Sequence, residues 1–363
     1  MAPPTEASPT RRAQLVGLGL IGSSVGLALR AAGYHVTGRD LDAAREQRAA
    51  ELGAIDAIGS DAAAAVAFVA TPVAQIPGLV AELLEASTNP ALAVSDVGSV
   101  KAPVVSGCPS PRFVGGHPMA GSEQEGPDGA DASLFSGATW VLTPSATTDE
   151  DAFAVVRDLV SGFGADIVVL DPARHDALVA VVSHVPHLTA ANLMAVAADA
   201  SEEHAALLRL AAGGFRDMTR IAAGDPAIWP DIFRDNKAAV LEVLAALRAR
   251  LDAARRLVAE EDRAGLIGLL DYAKAARRNL PARVLPPEEL CECRVPVLDR
   301  PGSLAEVAAV LGELGVNIWD FEVAHSAEGE RGVLVLTIDA LGADKARDVL
   351  VERGYHPALR RLG

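Results

Sequence analysis

Residues 17–22 read Gly-Leu-Gly-Leu-Ile-Gly, between an apolar run (Ala13–Val16) and a stretch of helix formers (Ile21–Ala32). No other feature restricts the fold as much. A strand that turns directly into a helix needs three things here: a residue free to turn tightly, a backbone bare enough for a pyrophosphate to approach, and a point where helix and strand nearly touch. Gly17, Gly19 and Gly22 supply these in order. The helix start, with Leu20 and Ile21 in its first turn, offers unpaired N–H groups to a phosphate. Asp40 ends the next predicted strand, 18 residues after Gly22, where a carboxylate accepts both ribose hydroxyls and repels a 2′-phosphate. The expected cofactor is NAD. Neighbouring Arg39 is a counter-signal, because a guanidinium could receive that phosphate. Thr71 and Pro72 end a later strand, at the edge where ligands lie in open parallel sheets; a plain strand-to-helix turn is the other reading.

From Ala13 to about Asp171 short apolar runs alternate with Ala-rich helical stretches, the pattern of βαβ units on a parallel sheet. Strands are predicted at Ala13–Val16, Tyr34–Gly38, Val66–Ala70, Ala91–Ser95, Trp140–Thr143 and Asp166–Val169. Helices are predicted at Ile21–Ala32, Leu41–Leu52, Gln75–Glu85 and Glu150–Phe163. From Pro172 to about Asn279 strand signals vanish, and the stretch from Pro226 to Val258 reads as one long helix. Arg283–Pro287 holds two prolines and reads as a linker. Beyond it Cys291–Leu298, Ser303–Leu314, Ile318–Ala324, Gly332–Ile338, Ala343–Arg353 and a last short strand give a ferredoxin-like βαββαβ order, with a turn at Glu328-Gly329. The expected fold class is α/β, in three domains. A Rossmann dinucleotide-binding domain spans 11–171, an all-α domain 172–282 and a ferredoxin-like domain 290–363. Met1–Thr10, with three prolines, reads as a disordered tail.

The 363 residues carry 32 basic and 48 acidic side chains, a net charge of −16. That is the wrong sign for a general nucleic-acid binder, so any anionic ligand must be held by local cations. Three cysteines, none in C-x-x-C spacing, argue against a disulfide framework and a structural zinc site, and point to the reducing cytoplasm. Arg11-Arg12 before an uncharged run resembles an export signal. The run of 17 residues, however, holds four glycines and is short for a membrane span. No membrane association is expected.

Four segments could carry chemistry. Ser95–Lys101, with Ser99, follows a buried-type strand. Gly115–Glu123 carries His117 among glycines, as a strand-end loop that suits a general base near neutral pH or a water-facing histidine. Ser183–His187 places His184 and His187 at i, i+3, on one helix face; a metal pair, two core histidines and a substrate-facing pair are the three readings, and no metal set is expected because no third ligand stands nearby. Gly213–Ala222 carries Arg216 and Arg220 at i, i+4, able to grip a carboxylate or to form a surface ion pair with Asp217.

Together GLGLIGSS at 17–24, SDVGSVK at 95–101, GGHPMAGSE at 115–123, SHVPH at 183–187, GGFRDMTRIA at 213–222 and DPAIW at 225–229 resemble the prephenate dehydrogenase family over almost the whole chain. The resemblance implies NAD-dependent oxidation of the ring alcohol of prephenate with loss of the ring carboxylate. The product would be 4-hydroxyphenylpyruvate, for tyrosine biosynthesis. On matching positions it implies that His117 takes the hydroxyl proton and that Ser99 orients the hydroxyl or the imidazole. Arg220 would hold a substrate carboxylate, supported by His187 and His184. Trp229 would wall the pocket from a partner subunit, the helical domain making a homodimer.

Residues 295–318 resemble an ACT domain, the regulatory module of some members. There Asp299 and Gly302 would turn a strand into a helix start suited to an amino acid's carboxylate, with Asn317 and Ile318 facing it, and tyrosine is the expected effector. Cys291 and Cys293 alternate on a strand and read as packing residues. Two rival readings remain: an arogenate dehydrogenase, whose substrate differs by one amino group, and a non-catalytic sensor of NAD and amino acids. The 3-hydroxyacid dehydrogenases share the domain plan but need a Lys and Asn on a helix that is not evident after His175.

Overall fold

The computed structural model describes residues 11–121, 124–203, 210–278, 289–298, 300–325 and 331–362. The tail Met1–Thr10, Ser122 and Glu123, the predicted linker at 283–287, Asp299 and the turn at Glu328-Gly329 lie outside them. The chain divides into two compact units, residues 1–251 and 252–363, and the division falls inside one long helix.

The first unit is built on an eight-stranded sheet: β1 (Arg12–Val16), β2 (His35–Arg39), β3 (Ala57–Ile58), β4 (Val66–Val69), β5 (Ala93–Asp96), β6 (Phe113–Pro118), β7 (Thr139–Thr143) and β8 (Asp166–Val169). Their order is β3-β2-β1-β4-β5-β6-β7-β8. Neighbours are parallel except β6 and β7, which run antiparallel. Every residue of β4 and β5 is buried, and β4 (Val-Ala-Phe-Val) accordingly reads as an unbroken apolar run rather than an alternating one. The helices α1 (Leu20–Ala31), α2 (Ala43–Glu51), α3 (Ile76–Ala86), α4 (Ala102–Gly107) and α5 (Glu150–Gly162) connect them. Side chains cap several starts: Asp42 accepts from the Ala44 N–H, and Asp149 from the Asp151 N–H. Arg12, the second of the two arginines that suggested export, opens β1 and pairs with Asp61 at 2.7 Å.

Strand β6 corrects the expectation of a loop around His117. Gly115 and Gly116 are strand-poor residues by propensity, yet here they allow a close approach. A Cβ on Gly115 would lie 2.3 Å from Thr143 Oγ1, and one on Gly116 would lie 2.6 Å from the Asp96 carbonyl oxygen. The two glycines let β6 slot between β5 and β7. Phe135, Phe163 and Phe68 surround Trp140 of β7 and fill the layer beside it.

The helical part of this unit starts with α6 (Pro172–Val179), capped by Asp171, whose side chain accepts from the Ala173 and Arg174 N–H groups. A π-helical turn (Ala180–His184) and α7 (Val185–Glu203) continue it. Pro186 cannot supply an N–H to the carbonyl four residues earlier, and the chain widens just before it. Then follow α8 (Gly213–Thr219), 3₁₀ turns at Arg220–Ala223 and Pro226–Ile228, α9 (Trp229–Asp235) and α10 (Lys237–Ala259). The single helix expected from Pro226 is thus broken at Asn236, which turns its side chain inward to bond the Asp176 carbonyl at 2.8 Å. Ile232 and Trp229 pack with Val73 and Ile76 beside the sheet. This shared core is why the helical part does not separate from the sheet as a unit of its own.

The second unit holds the end of α10, α11 (Arg263–Arg278) and a four-stranded antiparallel sheet of β9 (Leu290–Leu298), β10 (Ile318–His325), β11 (Arg331–Asp339) and β12 (Ala358–Arg361). The order is β10-β11-β9-β12. Helices α12 (Ser303–Glu313) and α13 (Ala340–Glu352) complete a βαββαβ sequence of elements. Cys291, Cys293, Val295 and Val297 face the core with Leu311, Ala346 and Leu350. Burial pushes the Cys293 thiol up to about 11, in keeping with a packing role.

Gly116→Ala should destabilise the protein by about 1–3 kcal/mol in urea unfolding, because the added methyl has no room. Gly121→Ala, with open space at that point, should leave the midpoint unchanged; equal effects would show that the β5–β6 approach is not close-packed.

Candidate active site

Strands β1, β4, β5 and β6 are parallel, so the segments at their carboxyl ends share one edge of the sheet. These are the Gly17 turn, Thr71-Pro72, Val97–Val100 and His117. Gly17 adopts φ +93°, and a Cβ there would meet the Ala70 carbonyl oxygen at 2.3 Å; a Cβ on Gly22 would meet the Gly17 oxygen at 2.0 Å. Gly19 faces open space, where a pyrophosphate can approach the start of α1, with Leu20 and Ile21 in its first turn. The Leu18 N–H donates to Asp40 Oδ2 at 2.7 Å, and the Asp42 N–H to Oδ1 at 3.0 Å. Asp40 therefore ties the glycine turn to β2 and keeps lone pairs free for ribose hydroxyls. Thr71 Oγ1 is buried without a hydrogen-bond partner, an unmet group beside this cradle. These features fit a dinucleotide. The Arg39 question also has an answer: its guanidinium pairs with Glu82 of α3 at 2.7 Å.

The next layer was not singled out in the sequence. Lys101 and Asp96 are both fully buried and form an ion pair. Asp96 also accepts from the Gly98 N–H at 2.8 Å and the Gly116 N–H at 3.0 Å, while the Lys101 ammonium donates to the Gly116 carbonyl at 2.8 Å. One pair thus pins both the loop bearing Ser99 and the strand bearing His117. Burial pushes the Lys101 ammonium down, and Asp96 opposes that shift. The Lys101 and Ala102 N–H groups, at the start of α4, donate to the two oxygens of Asp176 at 2.7 and 2.8 Å.

From Asp176 a chain of short contacts leads to the predicted base. His175 Nδ1 lies 2.8 Å from Asp176 Oδ1, and His175 Nε2 lies 2.8 Å from His117 Nδ1. The imidazole of His117 is thus held by His175 rather than by Ser99. Burial holds His117 well below the ordinary 6.5, and the nearby His175, Lys101 and His184 add to this by disfavouring another positive charge.

His184 and His187 do share a side, and both rings meet Trp229. His187 stacks on the indole with centroids 3.6 Å apart, and His184 meets it edge-on at 6.4 Å. This stack forms within one chain. Asp225 accepts from the Ala227 N–H at 2.8 Å and caps the Pro226–Ile228 turn that leads into Trp229. Asn236 lies 3.1 Å from His184 Nδ1. Burial pushes His184 down to about 4, with Asp176 opposing, and burial also lowers His187. Arg220 opens the 3₁₀ turn packed on α7 and is exposed, as is Arg216, whose Nε donates to the Ala211 carbonyl at 3.2 Å. Among the described residues no group of three His, Cys, Asp or Glu side chains is placed to hold a metal ion.

A glycine cradle beside a carboxylate, a half-buried histidine at the same sheet edge and a helical wall define an NAD-dependent dehydrogenase of the Rossmann-plus-helical kind. The family described as "Prephenate dehydrogenase, nucleotide-binding domain" matches residues 25–169, and "Prephenate dehydrogenase, dimerization domain" matches 171–272. Prephenate dehydrogenase of Bacillus subtilis is 34% identical over 353 residues, 93% of this chain and 95% of that protein. The crystal structure of prephenate dehydrogenase from Aquifex aeolicus with hydroxyphenyl propionate and NAD+ superimposes with a TM-score of 0.69 at 29% identity, covering 75% of this chain and 99% of that one. Synechocystis arogenate dehydrogenase gives 0.64 at 32% identity, covering 73% and 98%. The chain belongs to the prephenate dehydrogenase family.

Glu82→Gln should free Arg39 for a 2′-phosphate. An exposed ion pair of about 1 kcal/mol predicts a roughly fivefold rise in kcat/KM with NADP relative to NAD; an unchanged ratio would show that Asp40 alone sets the preference.

Proposed function

We propose that this chain oxidises and decarboxylates prephenate to 4-hydroxyphenylpyruvate with NAD, for tyrosine biosynthesis. The observation that carries the reading is His117: a half-buried imidazole whose charged form is disfavoured, with Nδ1 engaged by His175, at the sheet edge that holds the dinucleotide cradle. Gly17, Gly19, Gly22, Leu20, Ile21, Asp40, Thr71 and Pro72 are the residues we assign to NAD. Bound NAD supplies the acceptor for the hydride leaving the ring carbinol carbon. His117 Nε2 takes the hydroxyl proton as that hydride leaves. The bond to the ring carboxylate then breaks to release carbon dioxide. Its electron pair completes the aromatic ring and ends on the oxygen, to which His117 can return the proton. Aromatisation drives the step, so the protein needs a base and an orienting frame rather than a Lewis acid. We assign Ser99 to the substrate hydroxyl. Arg220 is assigned to a substrate carboxylate, with Arg216 nearby, and His187, His184 and Trp229 to the wall of the pocket.

We further infer a homodimer made by the helical domain, in the cytoplasm. Val181, Val185, Leu193, Met218, Ile221 and Leu247 line an apolar groove of about 610 Å³. Val182 and Val196 stand 65% and 67% exposed, an apolar surface that suits a second copy. The same stretch, Pro172–Ala200, is long and apolar enough to cross a membrane by composition; its buried site histidines favour the dimer. All three cysteines are buried and free. The domains we assign are 11–171 for NAD, 172–282 for substrate and dimer, and 290–363 as an ACT domain. Gly302 takes φ +95° at the start of α12, and the Asn317 N–H donates to Asp339 at 3.2 Å, which supports an ordered effector site for tyrosine near Asn317 and Ile318.

NAD reduction assayed with prephenate and arogenate side by side should show faster turnover of prephenate; turnover of neither would favour a sensor. His117→Asn should lower kcat by about 10²–10⁴, whereas Arg220→Ala should mainly raise KM. Since His117 must be unprotonated and its pKa is depressed, kcat/KM should stay level below pH 6.5 and fall only as pH drops through that lower value. A decline centred at 6.5 would mean that another group titrates. Tyrosine should inhibit the full-length enzyme in a titration; no response would leave the C-terminal domain structural.

A further inference from the structure

Two buried groups that the proposed chemistry leaves unused, His175 and Asp176, stand in line with the base it uses. Asp176 Oδ1 lies 2.8 Å from His175 Nδ1, and His175 Nε2 lies 2.8 Å from His117 Nδ1. His175 is fully buried and Asp176 nearly so. We propose that Asp176 and His175 are positioning residues that fix His117 in the tautomer bearing its proton on Nδ1, so that Nε2 faces the substrate hydroxyl as an acceptor. The inference rests on His117 being the base.

The direction of the chain follows from Asp176. Its two oxygens accept N–H groups from Lys101 and Ala102 at 2.7 and 2.8 Å, at the start of α4. With both oxygens taken by backbone donors, Asp176 stands toward His175 as an acceptor. A carboxylate only accepts, so His175 Nδ1 must carry the proton. A neutral His175 then has a bare Nε2, which can only accept, and His117 Nδ1 must donate to it. That leaves His117 Nε2 without a proton.

The arrangement also suits the moment of reaction. When His117 takes the hydroxyl proton on Nε2 it becomes an imidazolium, and its Nδ1–H still donates to His175. No bond in the chain has to reverse. The new positive charge is opposed by Lys101, His175 and His184, which already depress His117. Asp176 is the carboxylate at the far end of the chain that offsets them. Asp96 is engaged instead by Lys101 and the Gly98 and Gly116 N–H groups. The backbone holds His175 in place: α6 starts at Pro172 under the Asp171 cap, and the His175 N–H bonds the Asp171 carbonyl at 2.9 Å.

The test reads the tautomer directly. In the NAD-bound enzyme labelled with ¹⁵N-histidine, His117 signals, assigned by their loss in His117→Asn, should show a protonated Nδ1 and a bare Nε2. A protonated Nε2 in the resting enzyme would overturn the proposal even if His117→Asn abolishes turnover. Unchanged turnover in His117→Asn would instead overturn the base itself. Asp176→Asn should lower kcat by about 10³–10⁴ with KM for substrate and NAD changed less than threefold, as expected for a base left in the wrong tautomer. The acid limb of its kcat/KM profile should move to lower pH, because the imidazolium has lost its carboxylate. His175→Gln, which keeps an acceptor for His117 but not the aromatic relay, should fall between that variant and the parent. Variants that lose activity with an unmoved acid limb and an unchanged His117 tautomer would show a merely structural role.

Discussion

The buried Lys101–Asp96 pair is the interaction on which the site depends. Neither charge reaches solvent, so each is tolerable only because the other, with surrounding hydrogen bonds, replaces the lost water. Removing one partner from such a pair costs about 3–5 kcal/mol, since the survivor is left charged and unpaired. Here the remaining bonds are not spent on arbitrary neighbours. They reach Gly98 in the loop after β5 and Gly116 in β6, so the charge pair holds the loop of the proposed hydroxyl ligand Ser99 against the strand of the proposed base His117. Lys101 also delivers its own N–H to Asp176. The same residue thereby ties the sheet to the first helix of the substrate-binding part.

Much of the nucleotide half was legible because its demands are local. The Gly17–Gly22 turn leads straight into its helix, and Asp40 stands just past the end of the next strand, so both read as a fixed pattern along the chain. Strands β4 and β7 are short, buried, mostly apolar runs of the kind a doubly covered sheet explains. Strand β6 was not legible: its glycines oppose strand propensity, and their reason lies in Asp96 and Thr143, far along the chain. The break at Asn236 was hidden similarly, because a polar residue inside a helical pattern reads as solvent-facing until its partners Asp176 and His184 are known.

Among the proposed site residues, His117, His184, His187 and Trp229 were read from their segments, and the structure sets His117 beside His175 and the other two histidines on Trp229. His175 and Asp176 went unnoticed although adjacent in sequence. An adjoining His-Asp pair in an Ala- and Val-rich helix, just past an Asp-Pro cap, is the signal that marks them. Asp96 and Lys101 stood in plain view inside Ser95–Lys101. Spacing alone, however, could not say that their charges face each other in the interior rather than a ligand. The global charge of −16 also looks different once the site is seen: Lys101 is paired with Asp96 in the interior and Arg39 with Glu82 at the surface, while the side chains of Arg216 and Arg220 stand exposed.

The Arg39–Glu82 pair joins the second strand of the nucleotide fold to a helix that contributes nothing to the glycine fingerprint. Descendants of such a chain could change which dinucleotide they draw on through drift in that helix alone, with every fingerprint position intact. Two sequences identical from Gly17 to Asp40 could therefore serve the catabolic and the biosynthetic nicotinamide pools of a cell respectively, and the divergence would be written some forty residues downstream.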